Sequence, residues 1–344
     1  MPTLVRAAVL TKYLEVSQDL GFNPLDVMAV AGLNKAQLQA PESRIPIDAA
    51  VRLLEDSAIA SGCQTFGLSM AESRQFSDFG VVSLLLSHQR TLREALQVMV
   101  RYRHLMNDSL AIFVEECGKM VIIREEMVTE SPMPSRQATE LAIGVTFGLC
   151  SALLGSHWRP YSVNFMHQAP DNLHLHRRLF GCKLEFGSEF NGIVCPDISL
   201  DMTNPNADPA MARYAQSYLD SLHSHEGASM LFEVRKAIYL LLPMGRATIE
   251  QVAQSQGMNV RTLQRRLKDD NCAFNDVIND VRRDLVLRYL DNPNYSLSRI
   301  ADMLGYSMAS SFTRWFISQF GMPPASWRAQ KQSTAKPVTG PKEL

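Results

Sequence analysis

Two stretches of this chain repeat one another 48 residues apart. Thr248-Ile-Glu-Gln-Val-Ala253 and Ser296-Leu-Ser-Arg-Ile-Ala301 each open on a hydroxyl suited to capping a helix. Both place apolar residues second and fifth and end on alanine. Each then reaches a glycine at the same distance, Gly257 or Gly305, followed by a residue suited to a second cap, Asn259 or Ser307. A second helix is expected there, with Val260, Leu263 and Leu267 as its apolar face in the first copy and Phe312 and Phe316 in the second. Two short helices joined by a glycine turn, with a small alanine where the second helix must approach, make a helix-turn-helix. The pattern predicts such units over 248–268 and 296–319.

The outward faces carry the chemistry. In the first copy Arg261, Gln264, Arg265 and Lys268 fall at i, i+3, i+4 and i+7, one face of a helix. Arg and Gln pair with guanine and adenine edges, and Lys meets phosphate. Asn259 and Thr262 join this set at the helix start. The second copy offers Ser307, Ala309, Ser310, Thr313 and Arg314, a weaker base-reading set. An ordinary solvated basic face is the alternative for the first helix alone; a second copy in the same basic region argues against it. Between the copies, Phe274, Val277, Ile278, Val281 and Leu285 form one stripe, with Arg282 and Arg283 off it as phosphate-contacting candidates. At about 1.5 Å per residue, 274–290 spans about 25 Å, the scale needed to present two helices to successive groove turns about 34 Å apart.

Composition supports this division. The net charge of −1 hides 18 Lys and Arg against 25 Asp and Glu in 1–230, and 16 against 10 in 231–344. An acidic front joined to a basic back places nucleic-acid binding in the back. With 46% hydrophobic and 20% charged residues over 344, the chain can bury about two cores and is not disordered. Six cysteines without a C-x-x-C pair fit buried or half-buried thiols in a reducing cytosol. Met1 to Leu20 mixes charges into its apolar residues and reads as an amphipathic helix, not a signal peptide. Leu141 to Trp158 runs 18 residues without a formal charge and contains Gly144-Val-Thr-Phe-Gly148. Its Thr146, Ser151, Ser156, His157 and Gly155 favour a buried helix packed through its glycines over a membrane span, so no membrane partner is expected.

The front, 1–203, reads as α+β. Helices are expected from Pro24, over Pro46 to Ala60, and from a Thr91–Glu94 capping box to about Met106. A hairpin is expected around Cys117-Gly118, with strands Leu110 to Glu115 and Met120 to Arg124. Strands at Tyr161 to Met166, Lys183 to Phe186 and Gly192 to Cys195 interleave with a helix from Asn172 to Phe180, so a mixed sheet covered by helices is predicted. Residues 204–227 read as a linker with a bridging helix, 228–330 as an all-α domain whose two helix-turn-helix units are bridged by a long helix, and 331–344 as a disordered tail.

At this point the back resembles the AraC/XylS transcriptional regulators. The resemblance lies in Arg261-Thr-Leu-Gln-Arg-Arg-Leu267, Val281-Arg-Arg-Asp-Leu-Val-Leu-Arg-Tyr-Leu290, Ile300-Ala-Asp-Met-Leu-Gly-Tyr306, Ser311-Phe-Thr-Arg-Trp-Phe316 and Phe320-Gly-Met-Pro-Pro-Ala-Ser-Trp-Arg328. It implies sequence-specific binding of double-stranded promoter DNA, activation with RNA polymerase as partner, and a cytoplasmic protein that can form a homodimer. Departures are Asp270-Asn271, where glycine is common, and Pro323, where Ser or Thr usually precedes the proline; both bear on loop geometry. The front resembles, through Phe79-Gly-Val-Val-Ser-Leu-Leu-Leu86, Leu92-Arg-Glu-Ala-Leu96 and Phe180-Gly-Cys-Lys-Leu-Glu-Phe186, the effector domain labelled arabinose-binding in a subgroup of that family. A small-molecule effector follows, of unassigned identity and pocket. The sugar does not, because the founding member's effector domain is a cupin barrel and this helix-rich front lacks that strand pattern.

Three other readings stand beside this one. A metal sensor could use His174-Leu-His176, His223-Ser-His225, Cys182 and Cys195, but i and i+2 on a helix point about 200° apart, so no metal site and no cofactor is expected. A methyl-accepting cysteine fused to the same DNA-binding module would centre on Cys195-Pro196, beside which no thiolate-activating cluster stands; no other catalytic motif is present, and no enzyme is expected. A structural DNA binder would ignore every small metabolite.

Overall fold

The computed structural model describes residues 3–155, 158–221 and 229–334. Its contacts divide the chain into two compact units, Met1–Lys236 and Ala237–Leu344.

The first unit opens with β1 (Leu4–Arg6), α1 (Tyr13–Asp19), α2 (Pro24–Val30), α3 (Lys35–Gln39) and β2 (Arg44–Pro46). The single amphipathic helix expected over Met1 to Leu20 is not what forms. Val5 pairs with Ile45 in an antiparallel β1–β2 ribbon, and both are fully buried. A 3₁₀ turn, Ala7–Leu10, follows, and Lys12 in a left-handed conformation (φ 74°) starts α1 afresh. Pairing with a distant strand, which buries Val5 against Ile45, outweighs local periodicity. The start of α2 is as expected, with the Leu25 N–H donating to Asn23 Oδ1 at 3.1 Å ahead of Pro24.

Next come α4 (Ile47–Ser61), α5 (Phe66–Ser73), α6 (Val81–Ser87), α7 (Leu92–Arg101), β3 (Leu110–Cys117), β4 (Met120–Met127) and α8 (Arg136–Leu154). Thr91 caps α7 by accepting from Glu94 N, but the Glu94 carboxylate turns to Arg90 instead of closing the capping box. The chain then adds β5 (Ser162–Phe165), α9 (His174–Phe180), β6 (Lys183–Phe186), β7 (Gly192–Pro196) and α10 (Pro209–Ser221). Five strands form one mixed sheet in the order β3-β4-β7-β5-β6, with β5 and β6 parallel and the other pairs antiparallel. The hairpin register closes at Cys117 opposite Met120, and both of its strands run two or three residues longer than expected.

Helix α8 is the uncharged stretch together with one polar turn before it. Among the described residues it is the one helix long and apolar enough to span a membrane, and 72% of its apolar window is buried inside the unit. Glycine does bring it close to α5, but of the G-x-x-x-G pair only Gly144 takes part, and the other close approach is at Gly67 on α5. A side chain at Gly144 would lie 2.6 Å from Ala71 Cβ, and one at Gly67 would lie 2.0 Å from the Gln137 carbonyl oxygen. Gly148 faces open space.

The division between the units falls inside α11 (Met230–Leu241). Residues up to Lys236 belong with the first unit, and buried Lys236 donates to the Asp108 carbonyl at 2.6 Å. The expected division at 228 lies just before this helix. The second unit continues as α12 (Ile249–Ser255), α13 (Val260–Asp269), α14 (Phe274–Asp291), α15 (Leu297–Met303), α16 (Ala309–Phe320) and α17 (Pro324–Thr334). Leu263, Val281, Ile300, Phe312 and Phe316 are fully buried in it, and each such side chain contributes about 1.5–3 kcal/mol. Helix α17 extends four residues into the stretch expected to be disordered; 335–344 lie outside the described residues.

Candidate functional site

The helix-turn-helix pairs are α12–α13 and α15–α16. Thr248 and Ser296 cap their first helices, accepting from Gln251 N at 3.3 Å and Arg299 N at 3.0 Å. Ala253 and Ala301, each 1% exposed, sit at the close approach. Gly257 (φ 64°) and Gly305 (φ 75°) take the left-handed conformation that ends these helices within one residue. Asn271 adopts φ 54°, which accounts for its standing where glycine is common, since Asn is the side chain that best tolerates this region.

On α13 the cap is Asn259, whose Oδ1 accepts from Thr262 N at 2.8 Å. Leu263 and Leu267 are buried beneath the helix, while Arg261, Gln264, Arg265 and Lys268 are all exposed on its outer side. Thr262 is half-buried. The face is formed as the spacing predicts: a rigid helix displays two guanidinium groups, one amide and one ammonium. Gln264 and Lys268 also line a groove with Thr248, Glu250 and Asn275.

On α16 the helix starts at Ala309 with Met308 at the cap and no side-chain hydrogen bond there. Ser307 is thus not the cap it was expected to be, because the helix begins one residue later than in the first copy. Ser307, Ala309, Ser310 and Arg314 are exposed. Thr313 is half-buried and donates its hydroxyl to the Ala309 carbonyl at 2.9 Å. Behind α16, Phe312 and Phe316 pack with Tyr306, Trp315, Phe320 and Trp327 in one aromatic cluster.

The two candidate phosphate contacts differ. Arg282 is half-buried; it donates to the Leu304 carbonyl at 3.0 Å and lies 4.5 Å over the Tyr306 ring, and burial lowers its pKa. Its guanidinium braces α14 against the turn after α15. Arg283 is exposed, with one amino group on Gln319 at 2.9 Å and the other paired with Asp280. Such exposed pairs exchange readily for phosphate.

The first unit contains a partly open cavity of about 80 Å³, counted as space open to the centres of water molecules. Its polar lining is Arg6, Arg74, Asp78, Arg103, Asn107 and Thr146; the rest is aliphatic, thioether or phenyl. No sequence pattern pointed here, because the lining is gathered from many separate elements spread over 6–146. Arg103 reaches from this wall to Glu233 on α11 at 2.6 Å, and Glu233 pairs with Lys236 at the same distance.

The side chains behind the other readings are placed as follows. His174 is exposed while His176 is fully buried, its Nε2 3.3 Å from Glu140 Oε1, so the pair does point apart, though His176 is not a surface residue. His223 and His225 lie outside the described residues. Among the described residues no three His, Cys, Asp or Glu side chains are arranged to hold a metal ion. Cys195 is fully buried on β7, and burial pushes its thiol up to about 11, the reverse of nucleophile activation.

Comparison with known proteins bears on both units. The arabinose-binding domain of AraC transcription regulators matches 21–204, and a helix-turn-helix domain matches 234–330. The chain is 29% identical over 329 residues to the HTH-type transcriptional regulator VirS of Mycobacterium tuberculosis, covering 95% of this chain and 97% of that one. It is 23% identical over 334 residues to the ornithine utilization regulator of Pseudomonas aeruginosa, covering 94% and 96%. Among solved structures, the transcriptional regulator CdpR of Pseudomonas aeruginosa aligns over 90% of this chain and 98% of its own, with 21% identity and a TM-score of 0.44. These relatives are regulators and not enzymes. The chain belongs to the AraC/XylS family of helix-turn-helix transcription regulators and is a DNA-binding regulator with an arabinose-binding-type N-terminal domain.

Proposed function

We propose that the second unit reads promoter DNA with α13 as the principal base-reading helix and α16 as the lesser one. The observation that carries this is the exposed Arg261, Gln264, Arg265 and Lys268 face, held in place by buried Leu263 and Leu267. Asn259, Thr262, Ser307, Ala309, Ser310, Thr313 and Arg314 complete the DNA-facing set, Arg283 meets phosphate, and Arg282 acts mainly by fixing α14. Helix α14 has 18 residues, about 27 Å, which supports placement of the two readers in successive groove turns.

The first unit binds a small effector in its cavity, and occupancy reaches the second through α11. The Arg103–Glu233 pair supports this route: one partner lines the cavity and the other sits on the helix that runs into the second unit. Activation with RNA polymerase, action as a homodimer and a cytoplasmic setting are carried over from the family resemblance. A hydroxyl-radical footprint of the full chain on its promoter tests the DNA half. Two protected patches about 10 base pairs apart are expected, and Arg265→Ala should weaken one of them selectively. A single patch would remove α16 from the groove.

A further inference from the structure

We infer that the cavity of the first unit takes a small organic monocarboxylate with an apolar body, its carboxylate received by Arg74. This rests on the reading that the first unit holds the effector, and it names the chemistry of that effector.

Three arginines and one aspartate face the cavity, but they are not equivalent. Arg6 is paired with Glu42 and donates to the Leu105 carbonyl. Arg103 is paired with Glu233 and donates to the Val100 carbonyl at 3.0 Å. Each therefore has its charge matched from outside the cavity. Arg74 has backbone partners for one amino group, the carbonyls of Ala8 (3.2 Å) and Val9. Its Nε is shut off from solvent and has no hydrogen-bond partner. Asp78 acts on it only through space, and Asp78 Oδ2 is occupied by Gln75 N at 2.9 Å. Burial of this guanidinium lowers its pKa to about 10, so it keeps its charge at neutral pH.

A buried cationic N–H without an acceptor is costly, and a carboxylate oxygen is the acceptor that also matches the charge of the guanidinium. The remaining wall selects the body of the ligand. Apart from the six polar side chains it offers only aliphatic, thioether and phenyl surface, including Leu54, Met99, Leu141 and Val145. A pentose would need a partner for each hydroxyl. Asn107 Oδ1 is already engaged by Ser109 N at 3.1 Å and by the Ser109 hydroxyl at 2.7 Å, leaving chiefly the Asn107 amide nitrogen, the Thr146 hydroxyl and Asp78, too few partners for a pentose. The cavity has room for roughly five to eight waters at about 10–15 Å³ each, on the scale of a chain like octanoate.

The test is isothermal titration of the full chain with octanoate, octan-1-ol, octylamine and L-arabinose. Octanoate should bind at least about tenfold tighter than octan-1-ol, the margin of one charge-assisted hydrogen bond. Arg74→Met should erase that margin. Because Arg74 also holds the Ala8 and Val9 carbonyls, Ala142→Phe is the second variant: it keeps Arg74, fills the cavity and should abolish octanoate binding while the promoter is still bound. Equal or tighter binding of the alcohol or the amine overturns the inference, the amine pointing to Asp78 as reader of the head group. Arabinose binding that Ala142→Phe abolishes overturns the ligand class but keeps the cavity as effector site. No saturable octanoate binding also overturns the inference; if Ala142→Phe in addition leaves promoter output unchanged, the effector reading falls with it.

Discussion

The two helix-turn-helix pairs share a hydroxyl cap on the first helix, the alanine contact and the glycine turn, yet their second helices present different faces. Helix α13 rests on two leucines and carries its charge outward, on Arg261, Gln264, Arg265 and Lys268. Helix α16 shows small side chains and Arg314 outward, and its larger investment is inward, in rings from Tyr306 to Trp327. On the reading proposed above, one scaffold gives two ways of meeting DNA. A charged face supplies affinity and base recognition, whereas a face of Ala, Ser and Thr allows close approach and depends on being held rigidly.

Substitutions sharpen this contrast. The largest effect should come from Phe316→Ala, which opens a cavity under α16 and should cost about 3–5 kcal/mol of stability, read as a shift in the denaturation midpoint. Arg265→Ala comes next: it should leave that midpoint nearly unchanged and cost about 1–3 kcal/mol of binding to the operator. Arg314→Ala should cost less than Arg265→Ala, under about 1 kcal/mol on the same duplex; an equal loss would erase the asymmetry between the helices. Arg283→Ala should have the smallest effect on preference. It should weaken all duplexes alike and lower the salt slope by about one, and an unchanged slope would show that its pairs with Asp280 and Gln319 persist on DNA.

Much of the second unit was legible because its information is local. Thr248, Ser296 and Asn259 cap as the sequence pattern requires, and the leucine spacing correctly sets the inner face of α13. Ser307 misled because one extra residue before α16 changes the cap and leaves no mark in composition. The first unit was less legible where distant partners decide. β1 exists only because Arg44–Pro46 pairs with it, and the glycine contact of α8 depends on Gly67, which lies 77 residues before Gly144. The cavity left no signature for the same reason: Arg74 matters through an unpartnered Nε, and only the packed structure shows which donors lack acceptors.

The most direct test of α13 as the reader is a titration of wild type and Arg265→Ala against the operator and a scrambled duplex, at about 50 and 200 mM salt. The account predicts a loss of roughly 10- to 100-fold on the operator, retained at the higher salt, with a much smaller loss on the scrambled duplex. Equal losses on both duplexes, shrinking together as salt rises, would contradict it and reduce α13 to electrostatic footing.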